Sequence, residues 1–91
     1  MIVKFFATYR QITNCKATDV PVQPDVWALA NFLGERYGDG IKKKLFTADG
    51  KDFGDDAIIL VNGRNIQYLK WKDTPLAESD AVSIFPLVAG G

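Results

Sequence analysis

The residues best placed to do chemistry in this 91-residue chain are its last two, Gly90 and Gly91. They follow Phe85-Pro86-Leu87-Val88-Ala89, a short stretch that leaves a strand-like run. Glycine has no Cβ, so a Gly-Gly end is thin enough to thread a channel that excludes other residues. Its α-carboxylate is a chemically useful group. Glycine-rich termini are also often idle, so the pair carries weight only together with the residues before it.

Other chemistry finds little support. There is no histidine, and the single cysteine, Cys15, can form neither an internal disulfide nor a Cys–His nucleophile pair. No cluster has zinc-ligand spacing and no Gly-rich loop matches a phosphate cradle. Lys+Arg and Asp+Glu are 11 each. That balance argues against nucleic acid and against an anionic membrane surface as partners. No apolar run approaches a bilayer span, and no charged leader precedes an apolar core at Met1-Ile2-Val3-Lys4-Phe5, so a cytoplasmic protein is expected. The chain is poorly equipped for catalysis alone and well equipped to present a terminus to a partner.

The elements that would position that terminus read as follows. Ile2 to Thr8 is a strand with Val3, Phe5 and Ala7 on its core face and Phe6 on the other. Thr13-Asn14-Cys15 is a turn. Lys16 to Val22 is a second, antiparallel strand with Thr18, Val20 and Val22 sharing a side, and Pro21 suits a sheet edge. Asp25 is a helix N-cap, followed by Val26, Leu29, Ala30, Leu33 and Tyr37 at helical spacing, with Gly38 as the stop. Gly40 to Asp56 is irregular, and its Lys42-Lys43-Lys44 run is a solvated face. Ala57 to Val61 is an apolar strand, Asn62-Gly63 is the pair favoured at a type I′ hairpin, and Asn65 to Tyr68 returns as a short strand. Ala81 to Phe85 is the last strand, stopped by Pro86. The order β-β-α-β-β-β predicts an α+β domain: a mixed sheet packed on one main helix, the β-grasp arrangement, with the first and last strands parallel at its centre. Residues 1–91 are read as one such domain carrying a flexible tail over 86–91.

These residues resemble a known family, the ubiquitin-like sulfur carriers of the MoaD/ThiS group, and are most similar to the small subunit of molybdopterin synthase. Val3-Lys4-Phe5-Phe6-Ala7 with Arg10 looks like that family's first strand, and Val61-Asn62-Gly63 like its hairpin. Asp73-Thr74-Pro75-Leu76, then Asp80, Val82, and Phe85-Pro86 through Gly90-Gly91, look like its closing signature. Leu87 stands where the molybdopterin branch often carries a second proline, and Ala48 to Asp56 is not diagnostic.

The resemblance implies that a ubiquitin-activating-type enzyme, using ATP, adenylates Gly91 and that the adenylate becomes a thiocarboxylate. The chain itself would bind no cofactor and no metal. In molybdopterin synthase the tail enters the large subunit and gives its sulfur to a pterin precursor. Carried over to this sequence, Gly90 and Gly91 form the reactive end. Pro86, Leu87, Val88 and Ala89 would contact the partner; Phe6 and Phe85 are read as partner-docking aromatics or core residues, and Arg10 as an ion-pair partner at the interface or an ordinary surface charge. Phe85 shares a face with Ser83, opposite Val82 and Ile84, so it is expected to point outward. The same activation serves other outcomes: a carrier for thiamine or transfer-RNA thiolation, or a ubiquitin-like modifier conjugated to lysines through Gly91. A plain β-grasp interaction domain is a third reading. Cys15 and Trp71 are expected to be structural.

Overall fold

The computed structural model describes residues 1–87. Two apolar strands form its centre: β1 (Ile2–Phe5) and β5 (Ala81–Phe85) lie side by side and parallel, with Val3 opposite Val82 and Phe5 opposite Ile84. Around them the sheet is built in the order β2-β1-β5-β3-β4, from β2 (Ala17–Asp19), β3 (Ile58–Val61) and β4 (Arg64–Asn65). Every pairing except β1–β5 is antiparallel. This is the expected β-grasp sheet. The strands alternate in burial as their sequences dictate: Val3, Phe5, Ile59, Val61, Val82 and Ile84 point into the core.

The helix that closes this core is α2 (Val26–Tyr37), and the Asp25 carboxylate caps it by accepting a hydrogen bond from the Ala28 backbone N–H at 2.8 Å. Val26, Leu29, Ala30 and Leu33 are buried along one face, and Tyr37 meets Phe5 edge-on at 5.7 Å. Gly38, at φ +83°, ends the helix in a backbone conformation that a side chain would strain. The Asn62-Gly63 turn has positive φ at both residues (51° and 83°), as a type I′ hairpin requires. Asn62 Oδ1 accepts from Ala81 N at 2.9 Å, tying the hairpin to the start of β5.

Four expectations are corrected. The first strand ends at Phe5, not Thr8: Ala7 sits at φ +53°, is exposed rather than in the core, and turns the chain into a six-residue helix, α1 (Thr8–Thr13). Tyr9, fully buried, takes the core place assigned to Ala7. The second strand is shorter than Lys16 to Val22. Proline at 21 has no N–H to extend the ladder, and Val22 is exposed while Val20 stays buried. The segment Gly40 to Asp56 is not irregular throughout: the Lys42-Lys43-Lys44 run belongs to α3 (Asp39–Leu45), which buries Ile41 and Leu45 one turn apart. Finally, the return strand after the hairpin stops at Asn65, whose side chain accepts from Gln67 N at 3.0 Å. Ile66–Tyr68 then forms a 3-10 turn that buries Ile66.

Candidate functional site at the end of β5

The strand that leads to the chain's C-terminal segment carries the site. Phe85 is the last residue of β5, and alternation turns it to the face opposite Val82 and Ile84, where it is half-buried, not core. Phe6 reaches the same point from β1: its backbone N–H donates to Ile84 O at 3.1 Å, continuing the parallel ladder by one residue. The two rings stack with centroids 4.2 Å apart and planes 9° from parallel. A near-parallel aromatic pair of this kind has an attraction beyond its buried area. Across β5, Ile58 of β3 stands opposite Phe85, so the row Phe6–Phe85–Ile58 is apolar. The next row along the sheet is Lys4, Ser83 and Leu60, with one charge among weakly polar and apolar groups. Ile2, opposite Ala81, is 42% exposed. Among the described residues α2, the main helix, packs on the other side of the strands.

Arg10 joins the site through α1. Its Nε donates to Phe5 O at 3.4 Å, and its guanidinium carbon lies 5.8 Å from the Phe6 ring centroid, a cation–π distance. The positive-φ turn at Ala7 makes this possible, since it folds α1 back beside the end of β1. Tyr9 anchors that helix: its hydroxyl donates to Asp56 O at 2.8 Å. Burial, and then the negative charge of Asp56, raise the Tyr9 pKa, so the phenol stays protonated and remains a donor.

Asp56 was not among the predicted site residues, yet it lies at the root of the tail. One carboxylate oxygen accepts from Lys44 Nζ at 3.1 Å and the other from Leu87 N at 3.3 Å. Leu87 is 56% exposed and Pro86 half-buried. Of the predicted residues, the structure thus brings together Phe6, Phe85, Arg10, Pro86 and Leu87. Val88, Ala89, Gly90 and Gly91 lie outside the described residues. A sequence clue to Asp56 existed, since it stands before the strand paired with β5, but only the pairing gives it meaning.

The other candidates sit elsewhere. Cys15 Sγ is 3.7 Å from the Tyr37 hydroxyl, and Trp71 packs edge-on against Phe53 at 5.6 Å while its indole N–H donates to Asp52 at 2.7 Å. Two surface grooves, of about 400 and 480 Å³, are lined around Phe46 and around Tyr68, and neither includes a predicted site residue. Among the described residues no group of three or more His, Cys, Asp or Glu could hold a metal, and no helix is long and apolar enough to cross a membrane.

The family model described as the ThiS family matches residues 3–91. The chain belongs to this family, the ubiquitin-like sulfur carriers of the ThiS/MoaD group. The small archaeal modifier protein 3 of Haloferax volcanii is 36% identical over 98% of this chain and 96% of its own length. The solution structure of the small archaeal modifier protein 1 from Methanosarcina acetivorans is 30% identical, with a TM-score of 0.83 over 99% of this chain and 94% of that one. A Pyrococcus furiosus structure, whose name proposes it as molybdopterin converting factor, subunit 1, is 28% identical, with a TM-score of 0.71 over 96% and 95%. As a ThiS-family member the chain is a ubiquitin-like sulfur carrier or modifier. The expected sulfur-carrier family and β-grasp fold are therefore both found, whereas the small archaeal modifiers support the protein-modifier alternative at least as well as the molybdopterin branch.

Proposed function

We propose that the chain works through Gly91: a ubiquitin-activating-type enzyme docks on the Phe6–Phe85 face and adenylates the terminal carboxylate. The carboxylate oxygen attacks the α-phosphorus of ATP, pyrophosphate leaves, and the resulting acyl-adenylate is an electrophile. A lysine amine of another protein then displaces AMP to give an isopeptide, or sulfide from a sulfur donor displaces it to give a thiocarboxylate. The observation that carries this reading is the position of the stacked pair, apolar, partly exposed and flanked by Arg10, at the point where the chain leaves β5 toward Gly90-Gly91. Exposed aromatics of this kind anchor interfaces. Val88 to Gly91, fully extended, can reach about 13 Å, enough to carry the carboxylate from the docking face into a buried active site. The resemblance to the small archaeal modifiers favours the protein-modifier outcome.

A second reading has its own support. Phe85-Pro86 and the Pyrococcus furiosus relative favour a molybdopterin synthase small subunit, with a large subunit as partner and a pterin precursor as sulfur acceptor. Intact-mass measurement after incubation with a candidate activating enzyme, ATP and a sulfur donor separates the outcomes. Replacement of one oxygen by sulfur at the terminus marks the carrier, and isopeptide adducts on lysines of other proteins mark the modifier. Absence of both products, with an enzyme active on a related carrier, would refute the terminal-glycine reading.

A further inference from the structure

The antiparallel register of β3 and β5 pairs Ile58 with Phe85, and continued by two residues it places Asp56 beside Leu87. The backbone ladder cannot run through that step, because Pro86 has no N–H and β5 ends at Phe85. The structure instead supplies a side chain. Asp56 Oδ1 accepts from Leu87 N at 3.3 Å, while Oδ2 is held by Lys44 Nζ of α3 at 3.1 Å. The backbone of Asp56 is fixed independently, by the Tyr9 hydroxyl on its carbonyl at 2.8 Å. Three elements thus converge on one residue whose carboxylate grips the first free amide beyond the sheet.

We propose that Asp56 is a positioning residue for activation of the terminal glycine: it fixes the point and direction from which the chain leaves the sheet, so that docking on Phe6 and Phe85 aims the tail. The inference rests on the proposed terminal-glycine function and adds to it a residue outside the docking face. A tail root held in one place loses less conformational freedom when the tail enters a channel, and this favours the productive complex. Carboxylates accept hydrogen bonds more strongly than neutral groups, which suits a single side-chain contact that holds the tail root. Lys44 keeps the second oxygen occupied and so fixes the carboxylate's rotamer.

The test compares Asp56→Ala, Asp56→Asn and, as a control, the exposed neighbour Asp55→Ala, all in the full chain. The Leu87 amide is followed by its NMR chemical shift and heteronuclear NOE, and activation by ATP–pyrophosphate exchange with the activating enzyme. Asp56→Ala should shift the Leu87 amide, lower its NOE, and reduce kcat/KM for exchange roughly fivefold, the scale of one lost hydrogen bond. The loss should fall mainly on KM. Asp56→Asn keeps an acceptor oxygen and should restore most of both readouts, and Asp55→Ala should match the wild type. An unchanged Leu87 amide in Asp56→Ala, or equal losses in the Asn and Ala variants, overturns the proposal. Absence of exchange with the wild-type chain would sink the activation reading and the role proposed within it. That failure is distinguishable, because the Leu87 amide measurement needs no enzyme.

Discussion

Phe6 and Phe85 stack 4.2 Å apart although they come from opposite ends of the chain, because β1 and β5 are parallel neighbours and both rings turn to the side of the sheet away from α2. Each ring therefore supports the other's orientation. Phe85→Ala should weaken binding of the activating enzyme by about 1–3 kcal/mol. Phe6→Ala should do the same, and the double variant should lose less than the sum, since the residues are in contact. Calorimetric titration of the three variants checks this. Strict additivity would mean that the pair does not act as one docking unit.

Deleting Gly91 should separate fold from function. Gly91 contributes no side chain to the core, so the melting temperature should stay within about 1 °C of the wild type. The shortened tail withdraws the carboxylate by roughly 3.3 Å, enough to misalign it with the enzyme's adenylation centre. Adenylate formation should fall to background, and so should product formation by the route that the mass measurement identifies. Undiminished activity of the truncated chain would leave the plain interaction-domain reading as the better one.

Tyr9→Phe probes the link between α1 and the tail root. The variant keeps the buried ring and removes the hydroxyl that donates to Asp56 O at 2.8 Å. The expected cost is about 1 kcal/mol of unfolding free energy, read from urea denaturation. A larger loss would point to displacement of α1, which an altered Arg10 or Phe6 NMR signal would reveal.

Acid should erode stability through surface turns more than through the core. Asp80 accepts from Ala77 N and Asn62 Nδ2, both at 2.8 Å, and these bonds, the backbone one foremost, hold its pKa below the usual carboxylate value. Asp52 is lowered chiefly by the Trp71 indole N–H, and Asp49 chiefly by the Thr47 hydroxyl. A carboxyl whose folded pKa is depressed contributes stability that is fully present above its unfolded pKa and lost as pH falls through the folded one. The melting temperature should therefore hold from neutral pH to about pH 5 and decline below about pH 4. Asp80→Ala should melt lower at neutral pH and decline less on acidification. A parallel decline in both proteins would exclude Asp80 as a source of the acid sensitivity.

What the sequence alone determined is the set of elements whose signals are local. Asp25 caps α2 through its own side chain, Asn62-Gly63 permits the paired positive φ angles, and Pro86 ends β5 by lacking a donor. The apolar character of Ile2–Phe5 and Ala81–Phe85 announced central strands, and alternation alone placed Phe85 outward. The absence of histidine and the Gly-Gly ending came directly from the residues. Tertiary structure decided the rest. The run Thr8–Thr13 carries β-branched residues and is too short to be helical by itself, so α1 exists because Tyr9 finds a buried place and a partner at Asp56. In α3 only Ile41 and Leu45 signal a face amid glycine and lysine, and both need the core to make them decisive. The site itself is a meeting of residues far apart in sequence. The Phe6–Phe85 stack depends on the register between β1 and β5, and the Asp56–Leu87 contact on the register between β3 and β5. That the first and last strands are neighbours was already legible in the element order and their apolar content, whereas the register is set by how the whole sheet packs against α2, which no local stretch of sequence encodes.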